Sequence, residues 1–362
     1  MAETHPGPLQ VTHNEAAVSE AQLAEILSNP GFGAHFTDHM VLIDWDEGQG
    51  WHDARIVPQG TLPIHPSAAV LHYSQEVFEG LKAYRRDDDS IWLFRPAMNA
   101  ARMAASARRL DMPPLPEQTF VDAVRQLVDL DRRWVPGNLH EESLYIRPFT
   151  FASERLIGVR PAKNYTFCVL LTPAGPYYNA PMKLWLTPNY IRAAPGGTGK
   201  AKTGGNYAAS LVAAEEAAQN GCGQVLWLDG ARRQWLEECG TMNIAFVTAD
   251  DELLTPDSDT ILEGITRDSL LALAAKHGLT AVKRPIHVDE LRSRVEDGTI
   301  TESFACGTAA VVTPITGFKA PEWEVTVGDG SVGPKTNELR QSLLDIQYGR
   351  AGDEFGWTEK VG

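Results

Sequence analysis

The stretch Gly196-Gly197-Thr198-Gly199-Lys200-Ala201-Lys202-Thr203-Gly204-Gly205-Asn206-Tyr207 constrains this chain more than any other. Two lysines stand among five glycines, directly ahead of a run with helical character. Glycine lets a backbone take positive φ and approach another group closely. A primary amine on such a turn is suited to attack a carbonyl carbon and form a Schiff base. In isolation the stretch reads equally as a surface loop with two solvated lysines, so its meaning depends on the rest of the chain.

The length of 362 residues suits two domains. We place a small N-terminal α+β domain at 1–174 and an interdomain connection at 175–188. A larger domain follows at 189–362. In the first half, His39 to Asp46 reads as a strand, and Ala69 to Tyr73 as a short β-rich segment. Val77 to Tyr84 and Ile91 to Phe94 read as a hairpin. Met98 to Leu110 and Phe120 to Val135 carry apolar residues at helical spacing, the second with Val121, Val124, Leu127 and Leu130 as its stripe. Ser143 to Pro148 and Tyr165 to Leu171 read as strands. In the second half, Lys183 to Leu186, Tyr190 to Ala193, Gln224 to Leu228, Met242 to Val247 and Ile300 to Ala305 read as strands. Helices are expected over Ala208–Gln219, Thr266–His277, Val288–Val295 and Asn337–Gln347.

The formal charge of −15 offers no electrostatic footprint for a nucleic acid or an anionic membrane. The four cysteines are widely spaced, with no CxxC pair, so neither a zinc site nor a disulfide framework is indicated; no metal is expected. Reduced thiols and an N-terminus without signal-peptide character point to the cytoplasm. No apolar run reaches the length of a membrane span.

The chain can supply every part of a pyridoxal 5'-phosphate site: an amine, a carboxylate for the pyridine nitrogen, donors for the phosphate and a group on the phenolic oxygen. Lys202 is the preferred amine, with Lys200 as competitor. Glu237 and Glu238 are the carboxylate candidates. Gly264-Ile265-Thr266 opens a helix, whose free N–H groups suit an anion, although plain capping by Asp268 would also account for it. Thr308 adds a hydroxyl and Arg102 a formal cation; Tyr207 suits the phenolic oxygen. Each of these residues also has an ordinary structural reading when taken singly.

Taken together they carry a resemblance. Lys202-Thr203-Gly204-Gly205-Asn206-Tyr207, Gln224 to Asp229, Glu238-Cys239-Gly240-Thr241-Met242-Asn243, Gly264 to Ser269 and Gly307-Thr308-Ala309 resemble the class IV, fold type IV aminotransferases. Phe36 to Met40, Leu71 to Ser74, Val77 to Ala83 and Ser143 to Pro148 make the chain similar to the branched-chain amino acid aminotransferases. The resemblance implies an α/β (α+β) fold whose larger second domain is β-barrel-like with surrounding helices, and transfer of the amino group of leucine, isoleucine or valine to 2-oxoglutarate, giving glutamate, in a homodimer. It implies Lys202 as the Schiff-base lysine, Glu238 at the pyridine nitrogen and Tyr207 at the phenolic oxygen. Arg102, Ile265, Thr266 and Thr308 would contact the phosphate. Phe36, Tyr73, Phe78, Tyr145, Arg147 and Tyr177 would line the substrate pocket, with Thr241 and Ala309 near the substrate carboxylate. Ala310 and Thr313 stand where animal mitochondrial relatives carry a redox-sensitive CxxC, so that thiol switch is not expected. The alternatives are a D-amino acid aminotransferase or aminodeoxychorismate lyase on the same fold, and a non-catalytic protein that binds the cofactor.

Overall fold

A computed structural model describes residues 6–138, 141–175 and 180–362. The chain divides into two compact units. The first comprises Met1–Tyr177 with two returning segments, Ala201–Gly204 and Ile346–Gly362; the second comprises Tyr178–Lys200 and Gly205–Asp345.

The first unit is built on strands β1 (Gln10–Val11), β2 (His39–Asp46), β3 (Gly50–Pro58), β4 (Glu76–Phe78), β5 (Leu81–Arg85), β6 (Ile91–Phe94), β7 (Ser143–Ala152) and β8 (Asn164–Ala174). Among the described residues these join the last strand of the chain, Thr358–Val361, in a sheet of order β1-β3-β2-β8-β7-β5-β6 and then that strand, with β4 against β7. The central strand β2 is an almost continuous buried run, as a strand covered on both faces must be. The returning C-terminal strand pairs antiparallel with β6, Glu359 opposite Leu93, which ties the chain end to the first unit.

Four helices accompany this sheet among the described residues: α1 (Glu20–Ser28), α2 (Ala69–Tyr73), α3 (Pro96–Arg109) and α4 (Glu117–Leu130). Ser19 and Gln22 close a capping box on α1. On α4, Phe120, Val121, Val124, Leu127 and Val128 are buried at helical spacing and join Trp134 and Phe167 in the core. Ala69–Tyr73, expected as β-rich, is the helix α2, stopped by Ser74 in the left-handed region at φ 50°.

The second unit carries β9 (Met182–Leu186), β10 (Gln224–Leu228), β11 (Leu236–Cys239), β12 (Asn243–Thr248), β13 (Glu252–Pro256), β14 (Thr280–Arg284), β15 (Ile300–Gly307), β16 (Val311–Ala320) and β17 (Trp323–Thr326). Its described strands form one sheet of order β11-β10-β9-β16-β15-β12-β13-β14, with β17 on β16. The β9 pairings with β10 and β16, and the β13–β14 pairing, are parallel; the rest are antiparallel. Phe246, Phe304 and Phe318 are fully buried in its core. Helices α5 (Gly204–Ala208), α6 (Leu211–Gln219), α7 (Ile265–Leu273), α8 (Val288–Glu296) and α9 (Pro334–Gln347) follow in chain order. Tyr190–Ala193, expected as a strand, has no strand pairing among the described residues, and Arg192 within it bonds side chain to backbone instead.

Candidate active site

The candidate residues form two groups, each built within one unit. In the first unit, the segment Ala201–Gly204 is held by three backbone anchors. Phe78 N–H donates to the Lys202 carbonyl at 3.0 Å. Lys202 N–H donates to Ser106 Oγ at 2.9 Å, and Gly204 N–H donates to the Glu76 carboxylate. Lys202 is therefore not on a loose surface loop. Its Nζ lies 4.6 Å from the centre of the Phe78 ring. The amine is lowered from 10.5 to about 8, by burial first and then by the Arg102 and Arg147 cations, against Glu79 and Tyr145. By contrast, Lys200, the competitor, reaches into solvent and pairs with the exposed Asp259 at 3.0 Å.

Helix α3 organises this group through one face. Asn99, Arg102 and Ser106 recur at helical spacing and so share a side of the helix. Arg102 grips Glu79 with two hydrogen bonds, Nε to Oε1 at 2.7 Å and Nη2 to Oε2 at 2.8 Å. Asn99 Nδ2 donates to Glu79 Oε2 at 2.8 Å and to the Gly80 carbonyl at 3.2 Å. Burial alone would raise the Glu79 carboxyl, yet Arg102 outweighs it and holds the group below its ordinary value. Around the amine, Arg147 lies over the Phe78 ring at 4.8 Å and donates to the Tyr145 hydroxyl at 3.1 Å. That hydroxyl occupies the space a side chain at Gly80 would need, so glycine there admits Tyr145.

In the second unit, Glu238 is buried on β11 and pairs with Arg192, Nε to Oε2 at 2.9 Å. Its Oε1 accepts from Leu262 N–H at 2.5 Å and from Asn243 Nδ2 at 3.4 Å. Arg192 Nη2 also donates to the carbonyls of Gly199 at 3.0 Å and Thr260 at 2.8 Å, fastening the glycine-rich stretch. Asn206 fastens it again, donating to the Thr198 carbonyl at 2.9 Å and accepting from its hydroxyl at 2.7 Å. Glu237 points into different company: Thr260 Oγ1 donates to its Oε1, and its buried Oε2 has no hydrogen-bond partner among the described residues. Burial pushes the Glu237 carboxyl up to about 7.

Helix α7 opens at Ile265 with Gly264 as N-cap and no side-chain cap, so its first N–H groups have no intrahelical acceptor, an arrangement that suits an anion. Gly264 is needed because Asn243 Oδ1 fills the place of a Cβ. Thr308 and Ala309 sit on the tight turn between β15 and β16, where Gly307 faces Val311. Val311 holds φ 59°, an uncommon conformation for a β-branched residue. Tyr207 is half-buried in α5, and Thr241 is exposed on the turn between β11 and β12.

The structure thus brings Lys202, Phe78, Tyr145, Arg147 and Arg102 together in one unit and sets Glu238 near the start of α7 in the other. Tyr73 packs against the first unit's core, Phe36 is 40% exposed, and Tyr177 lies outside the described residues. Sequence reasoning gave no role to Glu76, Ser106, Arg192 or Asn243. Glu76 precedes Val77-Phe78-Glu79-Gly80 and Asn243 ends the Glu238 motif, so both lay next to a signal.

Residues 76–318 match the family model described as Amino-transferase class IV. The branched-chain-amino-acid aminotransferase of Mycobacterium tuberculosis is 50% identical, over 98% of this chain and 99% of its own length. The chain belongs to the branched-chain-amino-acid aminotransferase family of class IV aminotransferases. Among solved structures, the branched-chain amino acid aminotransferase of Escherichia coli aligns at a TM-score of 0.72, with 26% identity over 88% of this chain and 99% of that one. A T.th. branched-chain amino acid aminotransferase, solved with pyridoxamine 5'-phosphate, also aligns at 0.72, with 28% identity over 88% of this chain and 98% of that one. The expected α+β, fold type IV architecture stands on these alignments.

Proposed function

We propose that this family member transfers the amino group of leucine, isoleucine or valine to 2-oxoglutarate, with pyridoxal 5'-phosphate as cofactor. The observation that carries the reading is the enclosed amine of Lys202. It lies against an aromatic face, and its proton affinity is lowered to about 8. An amine that loses its proton that easily fits attachment to an aldehyde cofactor and later proton transfer. The relatives' names supply the substrate class.

When bound, the cofactor supplies an electron sink that makes the substrate Cα–H acidic. Lys202 is its attachment point and, once released, the base that takes the proton from Cα. Glu238, fixed by Arg192, Leu262 and Asn243, is assigned to the pyridine nitrogen, and Tyr207 to the phenolic oxygen. Arg102, Ile265, Thr266 and Thr308 are assigned to the phosphate. Phe78 and Tyr145 offer an apolar wall to a branched side chain, while Arg147 beside them offers donors to the distal carboxylate of glutamate. One pocket must accept both kinds of chain, and this pairing of ring faces with a guanidinium suits both. Phe36, Tyr73 and Tyr177 are assigned to the same pocket, with Thr241 and Ala309 near the substrate carboxylate. We further assign the protein to the cytoplasm, which four free thiols suit, and to a homodimer by its family.

Incubation of the full chain with pyridoxal phosphate, leucine and 2-oxoglutarate tests this. Glutamate and the branched 2-oxo acid are expected in equal amounts, with none from Lys202→Ala and none when D-alanine replaces leucine. Absence of glutamate from the parent protein would overturn the reading.

A further inference from the structure

Glu76 stands outside every role assigned so far. It begins β4, two residues before Phe78, and its carboxylate accepts from Gly204 N–H, two residues beyond Lys202. The Thr203 hydroxyl also bonds to it. The same short segment is gripped by Ser106 at Lys202 N–H and by Phe78 at the Lys202 carbonyl. A side chain on Gly204 would meet the Glu76 carboxylate, so the two positions fit each other closely.

We propose that Glu76 is a positioning residue for Lys202: by fixing the backbone at Thr203 and Gly204, it sets where the amine is held. An amine that must reach the cofactor and then the substrate proton tolerates little displacement, since misplacement of about 1 Å costs on the order of a hundredfold in rate. The carboxylate keeps this place against its own burial, which raises its proton affinity, with Gly204, Arg147 and Lys202 pulling the other way. A glutamine keeps an oxygen for Gly204 N–H, whereas an alanine keeps none.

The inference rests on Lys202 as the reacting amine, and the test separates the two. In the holoenzyme, Glu76→Ala is expected to lower kcat at least about tenfold with KM for leucine within about threefold, the signature of lost alignment rather than lost binding. Glu76→Gln should recover to within about threefold of the parent. Backbone hydrogen exchange supplies a readout independent of activity: the peptide carrying residues 201–208 should exchange faster in Glu76→Ala and at parental rates in Glu76→Gln. Gly204→Ala, which leaves Glu76 present but crowds it, should mimic Glu76→Ala and keeps the test open if the latter does not fold. Unchanged kcat and exchange in Glu76→Ala, or equal loss in the alanine and glutamine variants, would overturn the proposal. Activity persisting in Lys202→Ala would instead overturn the assignment of the lysine.

Discussion

At the scale of single residues, Arg102 joins an observed pairing to a proposed role. It is assigned to the cofactor phosphate, and it already holds the fully buried Glu79 by two hydrogen bonds. Arg102→Ala is therefore expected to weaken cofactor retention by about 10- to 100-fold. It should also cost about 3–5 kcal/mol of stability, because the buried Glu79 carboxylate loses its arginine counter-charge and keeps the neutral donors of Asn99 and Gly80. Adding Glu79→Gln should restore much of the stability and little of the affinity. Thermal melts and cofactor titration of the single and double variants read the two effects separately; full recovery of affinity in the double variant would remove Arg102 from the phosphate. Glu237 makes a second prediction. Its folded value is raised, from 4.5 to about 7, so its contribution to stability is fully present below pH 4.5 and is lost as pH rises through 7. The parent should lose on the order of 3 kcal/mol across that window through this group, and Glu237→Gln should lose correspondingly less. Identical pH–stability slopes in denaturant melts would show that Glu237 titrates elsewhere.

At the scale of elements, close approaches decide more than propensity does. Gly264, ahead of α7, lies against β12 because Asn243 occupies its Cβ position, and Asn243 in turn touches Glu238. Gly264→Ala should cost about 1–3 kcal/mol by overpacking and displace Asn243, lowering kcat more than it changes KM. A variant with parental melting and kinetics would mean that the contact relaxes freely. The sequence showed the long periodic elements well: in the α4 stripe Val121, Val124 and Leu127 are buried and Leu130 is half-buried against the same core, and β2 runs over His39–Asp46 as expected. Short elements were less legible. Ala69–Tyr73 has the β-rich composition of a strand but folds as a short helix, and the strands β13, β14, β17 and Thr358–Val361 carry little periodic signal. The three anchors of Lys202 were invisible for a simpler reason. They join residues far apart in sequence, Ser106 and Lys202 among them, and no local pattern records such a pairing.

At the scale of the whole molecule, the −15 charge makes local compensation of an anionic cofactor necessary, a task we propose for Arg102 in one unit and for the α7 N-terminus in the other. The thiol chemistry is equally a whole-chain property. All four cysteines are free and buried; burial pushes Cys168 and Cys306 up to about 12 and raises Cys222 and Cys239 as well. Thiols held protonated react slowly, so mild peroxide should leave activity unchanged, with no gain on adding dithiothreitol. Reversible inactivation would reveal a switch that Ala310 and Thr313 were expected to exclude. The central claim is tested most directly by the visible spectrum of the purified protein with bound pyridoxal phosphate. Leucine alone should discharge the cofactor's visible band as the amino group moves onto it. Subsequent 2-oxoglutarate should restore the band with release of glutamate, and Lys202→Ala should complete neither step at a measurable rate. A band that leucine leaves unchanged, or that 2-oxoglutarate fails to restore, would contradict the account.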